Sequence, residues 1–310
     1  MGRTSVTPIE RIQREHGIVG RADELALALA VLDAGRHLLL EGPVGVGKTT
    51  VALAVCQHLG RRTYRVDGDD RYTESKLTGW FDPPLVLQQG YGETSFCPGP
   101  LVQAMREGGV LFINELNRMP ESVQNVVLPA LDERLLQVPH IGEVRAAQGF
   151  QVVATQNPVE YVATGHLSEA LRDRFEHLPL GYQSAAEEMQ IVMLETATDD
   201  AQLAGMAVRL TRATRVHPRF RKGASVRGAI ATVALAERLW AAQGDACGGV
   251  TPAVLRRAAG AALATRVELR DDIDAEFGRA LDDVFALVVE RGEDPDVALA
   301  PATEGMRPKA

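Results

Sequence analysis

The stretch HLLLEGPVGVGKTT, His37 to Thr50, decides the fold. A short apolar run enters a loop carrying Gly42, Gly45 and Gly47, and helix-forming residues follow from Lys48 to about Leu59. The loop fits G-x-x-x-x-G-K-[ST] on Gly42, Gly47, Lys48 and Thr49. Successive backbone N–H groups can curl around an anion only where side chains do not obstruct the dihedrals or the close approach, hence the glycines. The helix start adds the positive end of its dipole. A glycine-rich turn with an incidental lysine is the bland alternative, and the strand-loop-helix setting argues against it. The reading is a triphosphate cradle of Gly42, Pro43, Val44, Gly45, Val46, Gly47, Lys48, Thr49 and Thr50. Lys48 is expected to reach the β- and γ-phosphates of ATP, and the Thr49 hydroxyl to meet Mg²⁺.

Outward from this loop, short apolar runs alternate with helical periodicity over residues 17 to 182, as in a parallel sheet covered by helices. The runs are HLLLE ending at Glu41, TYRV at Val66, VLFI at Ile113 and FQVVAT at Thr155. From Ser184 no strand pattern is evident. Ala-rich helices are predicted near 185–197, 201–215, 225–242 and 251–266. The expected architecture is a P-loop α/β/α core over 17–183, after an N-terminal extension 1–16, then an all-helical lid over 184–291. Ser184 and Glu187 have the spacing of a capping box at the junction. Ile273, Phe277, Leu281, Val284 and Val288 trace a last amphipathic helix. Beyond Gly292 the composition predicts a disordered tail to residue 310.

Two segments are too long for plain connections. One, about 78–99, is patterned as a hairpin turning at Gly90–Gly92. The other, about 136–149, is a second hairpin candidate. Trp80, Phe81, Tyr91 and Phe96 in the first are either contact residues or a local core, and two of the four are expected to be core.

The 310 residues carry a formal net charge of -8, which disfavours a broad polyanion-binding surface and so a nucleic-acid partner. Cys56, Cys97 and Cys247 lie far apart without metal-ligand spacing, which fits a reducing cytoplasm rather than a disulfide framework. No apolar run is long enough to span a bilayer, so no membrane association is expected.

In an open parallel sheet, ligands sit at the carboxyl ends of the strands. Here one strand enters the P-loop, VLFI ends in Asn114-Glu115, and FQVVAT ends in Gln156-Asn157. Glu115 is placed to polarise a water attacking the γ-phosphate, and Asn157 to orient that water or the phosphate. A strand-end carboxylate also serves as an N-cap; beside a P-loop the functional reading prevails. ATPases of this kind usually carry Asp where this chain has Asn114. An amide oxygen can face a metal but brings no charge, so metal affinity is expected to fall and hydrolysis to slow.

Together these residues resemble the MoxR branch of the AAA+ ATPases, in the same clade as the magnesium chelatase ATPase subunit. The match covers about residues 17–265. It rests on IVGR at 18–21, GPVGVGKT, GPLVQAMREGGVLFINELNRMP, ATQNP, LSEALRDRF and GASVRGA. The resemblance implies a hexameric ring with ATP between subunits. Arg174 would be the arginine finger reaching a neighbour's γ-phosphate, Arg227 the second sensor on the lid, and Asn157 the first; Arg118 would lie near the subunit boundary. An arginine supplied in trans neutralises charge on the transferred phosphoryl group, which agrees with such a role. A surface ion pair is the alternative for Arg174. It also implies ATP hydrolysis that remodels or matures a protein client, reached through a von Willebrand factor A domain protein, with metal-cofactor loading of an enzyme a frequent outcome. The departures are Asn114 and TGHLSEALRDRF, where the family more often has GTYPLPEAQLDRF. A nucleotide-gated scaffold with little hydrolysis is the second reading, motivated by Asn114. A nucleic-acid motor is the third, motivated by seven basic residues between Arg209 and Arg227 with no acid among them.

Overall fold

The computed structural model describes residues 6–158, 167–244, 249–270 and 276–298, the Val297 side chain excepted. Contacts divide the chain into two compact units, Met1–Gly181 and Tyr182–Ala310.

In the first unit the strands in chain order are β1 (His37–Glu41), β2 (Thr63–Asp67), β3 (Gly79–Phe81), β4 (Phe96–Pro98), β5 (Val110–Asn114), β6 (Leu135–Val138), β7 (Gly142–Arg145), β8 (Gln151–Gln156) and β9 (Phe175–Pro179). Five of them form an all-parallel sheet in the order β2-β5-β8-β1-β9. The central strands are apolar at consecutive positions because both faces are covered. Leu39, Leu111, Ile113, Val152 and Ala154 enter one core, and Leu38, Leu40, Val110, Phe112 and Val153 the other. Burying each such side chain contributes about 1.5–3 kcal/mol, so the sheet is the rigid platform on which its strand ends are held.

The sequence reading found four of the five sheet strands. The edge strand β9, FEHLP, escaped it because only Phe175 and Leu178 are buried while Glu176 and Pro179 are not, too short an alternation to register. Within the N-terminal extension, residues 8–16 are ordered against the core. They form a helix with a Thr7–Glu10 capping box, and Ile12 is fully buried in the core.

The insertions also depart from plain hairpins. β3 and β4 pair antiparallel, but the segment between them holds a helix, Pro83–Gln89, in place of a tight turn at Gly90–Gly92. Asp82 caps this helix and Pro83 opens it, two start signals that outweigh the glycines downstream. β6 and β7 pair directly, Leu136 opposite Val144. The insertions meet through rings: Tyr91 stacks on His140 at 4.4 Å, and Phe81 lies 5.1 Å from Tyr91 and 5.2 Å from Phe96. Phe96 is buried and Phe81 half-buried, whereas Trp80, Tyr91 and Leu87 are exposed, Leu87 to 89%.

The second unit is built on helices Ala185–Thr196, Ala201–Val216, Val226–Ala241, Pro252–Leu263 and Phe277–Phe285. Ser184 accepts from the Glu187 backbone and Glu187 returns the bond, closing the capping box. This unit is not wholly helical: β10 (Phe220–Lys222) and β11 (Glu268–Leu269) form a two-stranded antiparallel ribbon, too short to show a period in sequence. The last helix continues through Ala286–Glu290 as a π-turn, and Leu281, Val284 and Val288 are buried; Ile273 lies outside the described residues. The tail expected to be disordered from 292 instead carries a helical turn, Pro295–Ala298, whose Asp296 takes the Arg212 guanidinium at 2.8 Å; residues 299–310 lie outside the described residues.

Among the described residues no cluster of His, Cys, Asp or Glu has the makings of a metal site, and no helix is long and apolar enough to cross a membrane. Cys56 and Cys97 are free thiols, and burial pushes Cys56 up to about 12, far from thiolate chemistry. Cys247 lies outside the described residues.

Candidate nucleotide site

β1 delivers the chain into residues 42–47, and the helix Lys48–His58 follows directly. Gly45 and Gly47 have φ of 80° and 91°, the left-handed conformation that turns backbone N–H groups to one side of a loop. Gly42 is required for a different reason: a Cβ there would lie 2.1 Å from the Leu180 carbonyl oxygen at the end of β9. No side chain caps the helix at Gly47, so its first N–H groups are offered by the backbone alone. Lys48 Nζ donates to the Gly42 and Pro43 carbonyls at 2.7 and 2.8 Å, which folds the ammonium over the loop. Val46 is buried, Thr49 half-buried, and Val44 and Thr50 are exposed.

The carboxyl ends of β5 and β8 meet this helix start. Asn114 Oδ1 accepts from Thr49 Oγ1 and from Thr155 Oγ1, each at 3.0 Å. Two strands and the P-loop helix are thereby tied at one point. Glu115, the next residue, has φ 57° and ψ 52°, a conformation uncommon outside glycine, and Thr155 Oγ1 accepts from its N–H at 2.9 Å. That backbone turn takes the carboxylate off the line of β5, where it pairs with Arg118 at 2.7 Å. Asn157, just beyond β8, is 5% exposed, and its carbonyl accepts from Asn117 Nδ2 at 3.3 Å.

Two further residues belong to this neighbourhood and were not singled out as site residues from sequence. Arg21, of the IVGR segment, is buried, and its guanidinium donates to the Val46 carbonyl of the loop and to the Gly181 carbonyl at 3.2 and 2.6 Å. Its two carbonyl partners lie 25 and 160 residues away in sequence, so only the fold brings them together. Asp67, at the end of β2, stands opposite Asn114 in the sheet register and accepts from Asn114 Nδ2 at 3.0 Å. Arg65 grips both Asp67 oxygens, at 2.8 and 3.0 Å. The Arg65 hydrogen bond foremost, opposed by burial and aided by Asn114, holds this carboxyl below the usual carboxylate range.

The two predicted arginines stand on other elements. Arg174 precedes β9 and is engaged within its own chain, donating to Asp132 Oδ2 and to the Ala170 carbonyl, each at 3.0 Å. The Asp132 hydrogen bond raises its pKa further, so the side chain is a permanent cation. Arg227 is exposed in the first turn of the helix Val226–Ala241 of the second unit. Thr164, Gly165 and His166 of the TGHLSEALRDRF segment lie outside the described residues.

The donor set suits a magnesium-bound nucleotide. Glycine-bred backbone N–H groups and a lysine suit phosphate, while Thr49 and Asn114 present hard oxygen atoms side by side, the donor type Mg²⁺ prefers.

A P-loop at the end of an inner parallel strand, with polar residues at the ends of β8 and β5 beside it, is the arrangement of an AAA-type ATPase fold. The AAA domain family, dynein-related subfamily, matches residues 37–175. The chain is 30% identical over 256 residues to the uncharacterized protein YeaC of Bacillus subtilis, covering 74% of this chain and 76% of that one. It is 30% identical over 200 residues to the gas vesicle ATPase GvpN of Haloferax mediterranei, covering 59% and 58%. Among solved structures, the Thermotoga maritima RuvB Holliday junction branch migration motor superposes with a TM-score of 0.52 at 20% identity, covering 77% of this chain and 68% of that one; this likeness concerns the fold. The chain belongs to the MoxR-like branch of the AAA ATPases.

Proposed function

We propose that this chain binds and hydrolyses Mg²⁺-ATP, and that it works as a ring-forming remodelling ATPase on a protein client. The observation that carries the reading is the junction of Thr49, Asn114 and Thr155, which fastens the P-loop helix to the two strand ends bearing Glu115 and Asn157. Residues 42–50 hold the triphosphate in this reading. Thr49 and Asn114 would hold the magnesium ion, which supplies positive charge against the phosphate oxygens. Glu115 accepts a proton from the attacking water, Asn157 orients it, and Arg174 and Arg227 neutralise the transferred phosphoryl group, Arg174 from a neighbouring subunit. The related gas vesicle protein is named an ATPase, which supports hydrolysis. A protein client, reached through a von Willebrand factor A partner, is what the family resemblance supports. The exposed Trp80, Leu87 and Tyr91 of the first insertion offer the apolar surface such a contact needs.

Asn114, together with the Glu115–Arg118 ion pair, favours a second reading, a nucleotide-gated scaffold that scarcely turns over. The motor reading has less to rest on. Of the seven basic residues between Arg209 and Arg227, five pair with acids: Arg212 and Arg215 with Glu188, Arg219 with Asp283, Arg221 and Lys222 with Glu268.

The two surviving readings separate on three proteins assayed for both nucleotide binding and hydrolysis. Lys48→Ala should lose ATP binding. Glu115→Gln should bind ATP as the parent does while hydrolysis falls about 10²-fold or more, the size of a general-base contribution. Equal turnover in Glu115→Gln and the parent would remove Glu115 from the chemistry, and would leave the scaffold if both stay near the uncatalysed rate.

A further inference from the structure

The metal half of the site carries an amide where ATPases of this kind usually carry an acid, and the end of β2 shows what accompanies that change. Asp67 lies beside Asn114 in register, and its Oδ1 is 3.0 Å from Asn114 Nδ2. An ionised carboxylate only accepts hydrogen bonds, so the Asn114 amide can present nothing but its NH₂ group to that side. Its carbonyl oxygen is then fixed toward Thr49 and Thr155, whose hydroxyls donate to it at 3.0 Å. Arg65, forked onto both oxygens of Asp67, keeps the carboxylate in place. Asp67 thus accepts from Arg65 on one side and from Asn114 on the other, and Asn114 in turn accepts from Thr49, which links β2 to the P-loop helix.

We propose that Asp67 is the positioning residue of the magnesium half-site: it holds the Asn114 amide with its oxygen toward Thr49, and Asp67 and Asn114 together replace a single aspartate at position 114. This rests on the Mg²⁺-ATP reading above. The pairing also accounts for the amide itself. With Asp67 in place, an aspartate at 114 would set two carboxylates about 3 Å apart, which repel, and would lose the donor that Asp67 accepts from. Partners that orient a ligand in this way typically contribute 10- to 100-fold in metal affinity.

The test reads binding. The affinity of a fluorescent, non-hydrolysable ATP analogue is measured on the full chain in EDTA and across a Mg²⁺ titration, for the parent, Asp67→Ala, Asn114→Asp and the exchange Asp67→Asn/Asn114→Asp. Asp67→Ala should raise the half-saturating Mg²⁺ concentration about tenfold or more and leave binding in EDTA unchanged. Asn114→Asp alone should raise that concentration, because the two carboxylates repel, whereas the exchange should bring it back to the parent's value or below. A folded Asp67→Ala within twofold of the parent, or Asn114→Asp matching the exchange, overturns the proposal and leaves the ATP reading standing. Absence of analogue binding by the parent with Mg²⁺ overturns both. Circular dichroism identifies a variant that fails to fold, in which case Asp67→Ser, of smaller cavity and no charge, takes its place with the same expected shift.

Discussion

His37 shows how one side chain ties this sheet to pH. It begins β1 and is 7% exposed, and its Nδ1 accepts from the Val152 backbone N–H on β8 at 3.0 Å. Burial, foremost among the causes, lowers its pKa to about 4. A neutral ring is what the acceptor role needs. Because the folded value lies below the unfolded 6.5, the unfolded chain binds the proton first as pH falls, so stability is full above about pH 6.5 and is lost on descending toward pH 4. Going from about pH 7 to about pH 5 should cost about 2 kcal/mol from this residue alone. Urea unfolding at the two pH values measures it. His37→Asn keeps an acceptor without a titrating ring and should flatten that difference; an unchanged difference would assign the pH dependence elsewhere. At the same scale the sequence displayed the P-loop fully, since its residues are contiguous and chemically peculiar. Asp67 could not be found that way. It stands 47 residues before Asn114 and becomes its neighbour only through the β2–β5 register.

At the scale of elements, legibility followed burial. Strands buried on both faces, β1, β5 and β8, announced themselves as apolar runs. The half-covered edge strand β9 and the brief ribbon of β10 and β11 did not, because a period needs more residues than they have. The basic helix face was legible as charge but not as use. Arg212 and Arg215 point at Glu188, which is 2% exposed on the preceding helix, at 3.3 and 2.8 Å, and Arg215 also lies 3.9 Å over the Tyr182 ring. A run that reads as a nucleic-acid surface is thus in part the internal wiring of a helical unit. Breaking a buried pair strands the remaining charge, so Glu188→Ala should lower unfolding stability by about 3 kcal/mol. Arg221→Ala, at an exposed pair with Glu268, should change it by less than about 1 kcal/mol. Denaturant midpoints of the two variants check the contrast, and comparable losses would contradict it.

At the scale of the whole molecule, the proposed reading completes the site of one chain with Arg174 of a neighbour. Arg174 is bound to Asp132 and Ala170 of its own chain by bonds that fix its base on the protein surface, with the side chain 31% exposed. An exposed ion pair contributes little stability, so exchanging Asp132 for a phosphate on another subunit costs little. If the proposed ring forms, hydrolysis needs a neighbour, and specific activity should rise with protein concentration toward a plateau. Arg174→Ala should bind ATP like the parent and yet turn over about 10³-fold more slowly, the lower range for an arginine supplied in trans. The decisive measurement mixes two inactive proteins. Arg174→Ala retains Glu115 but has no finger to give; Glu115→Gln can give Arg174 but has no base of its own. In a mixed ring, a subunit of the first beside a subunit of the second regains a complete site, so activity should reappear on mixing and be greatest near equal proportions. Mixtures that stay as inactive as their components, although both assemble, would place Arg174 outside the neighbour's site and return it to the role of a surface ion pair.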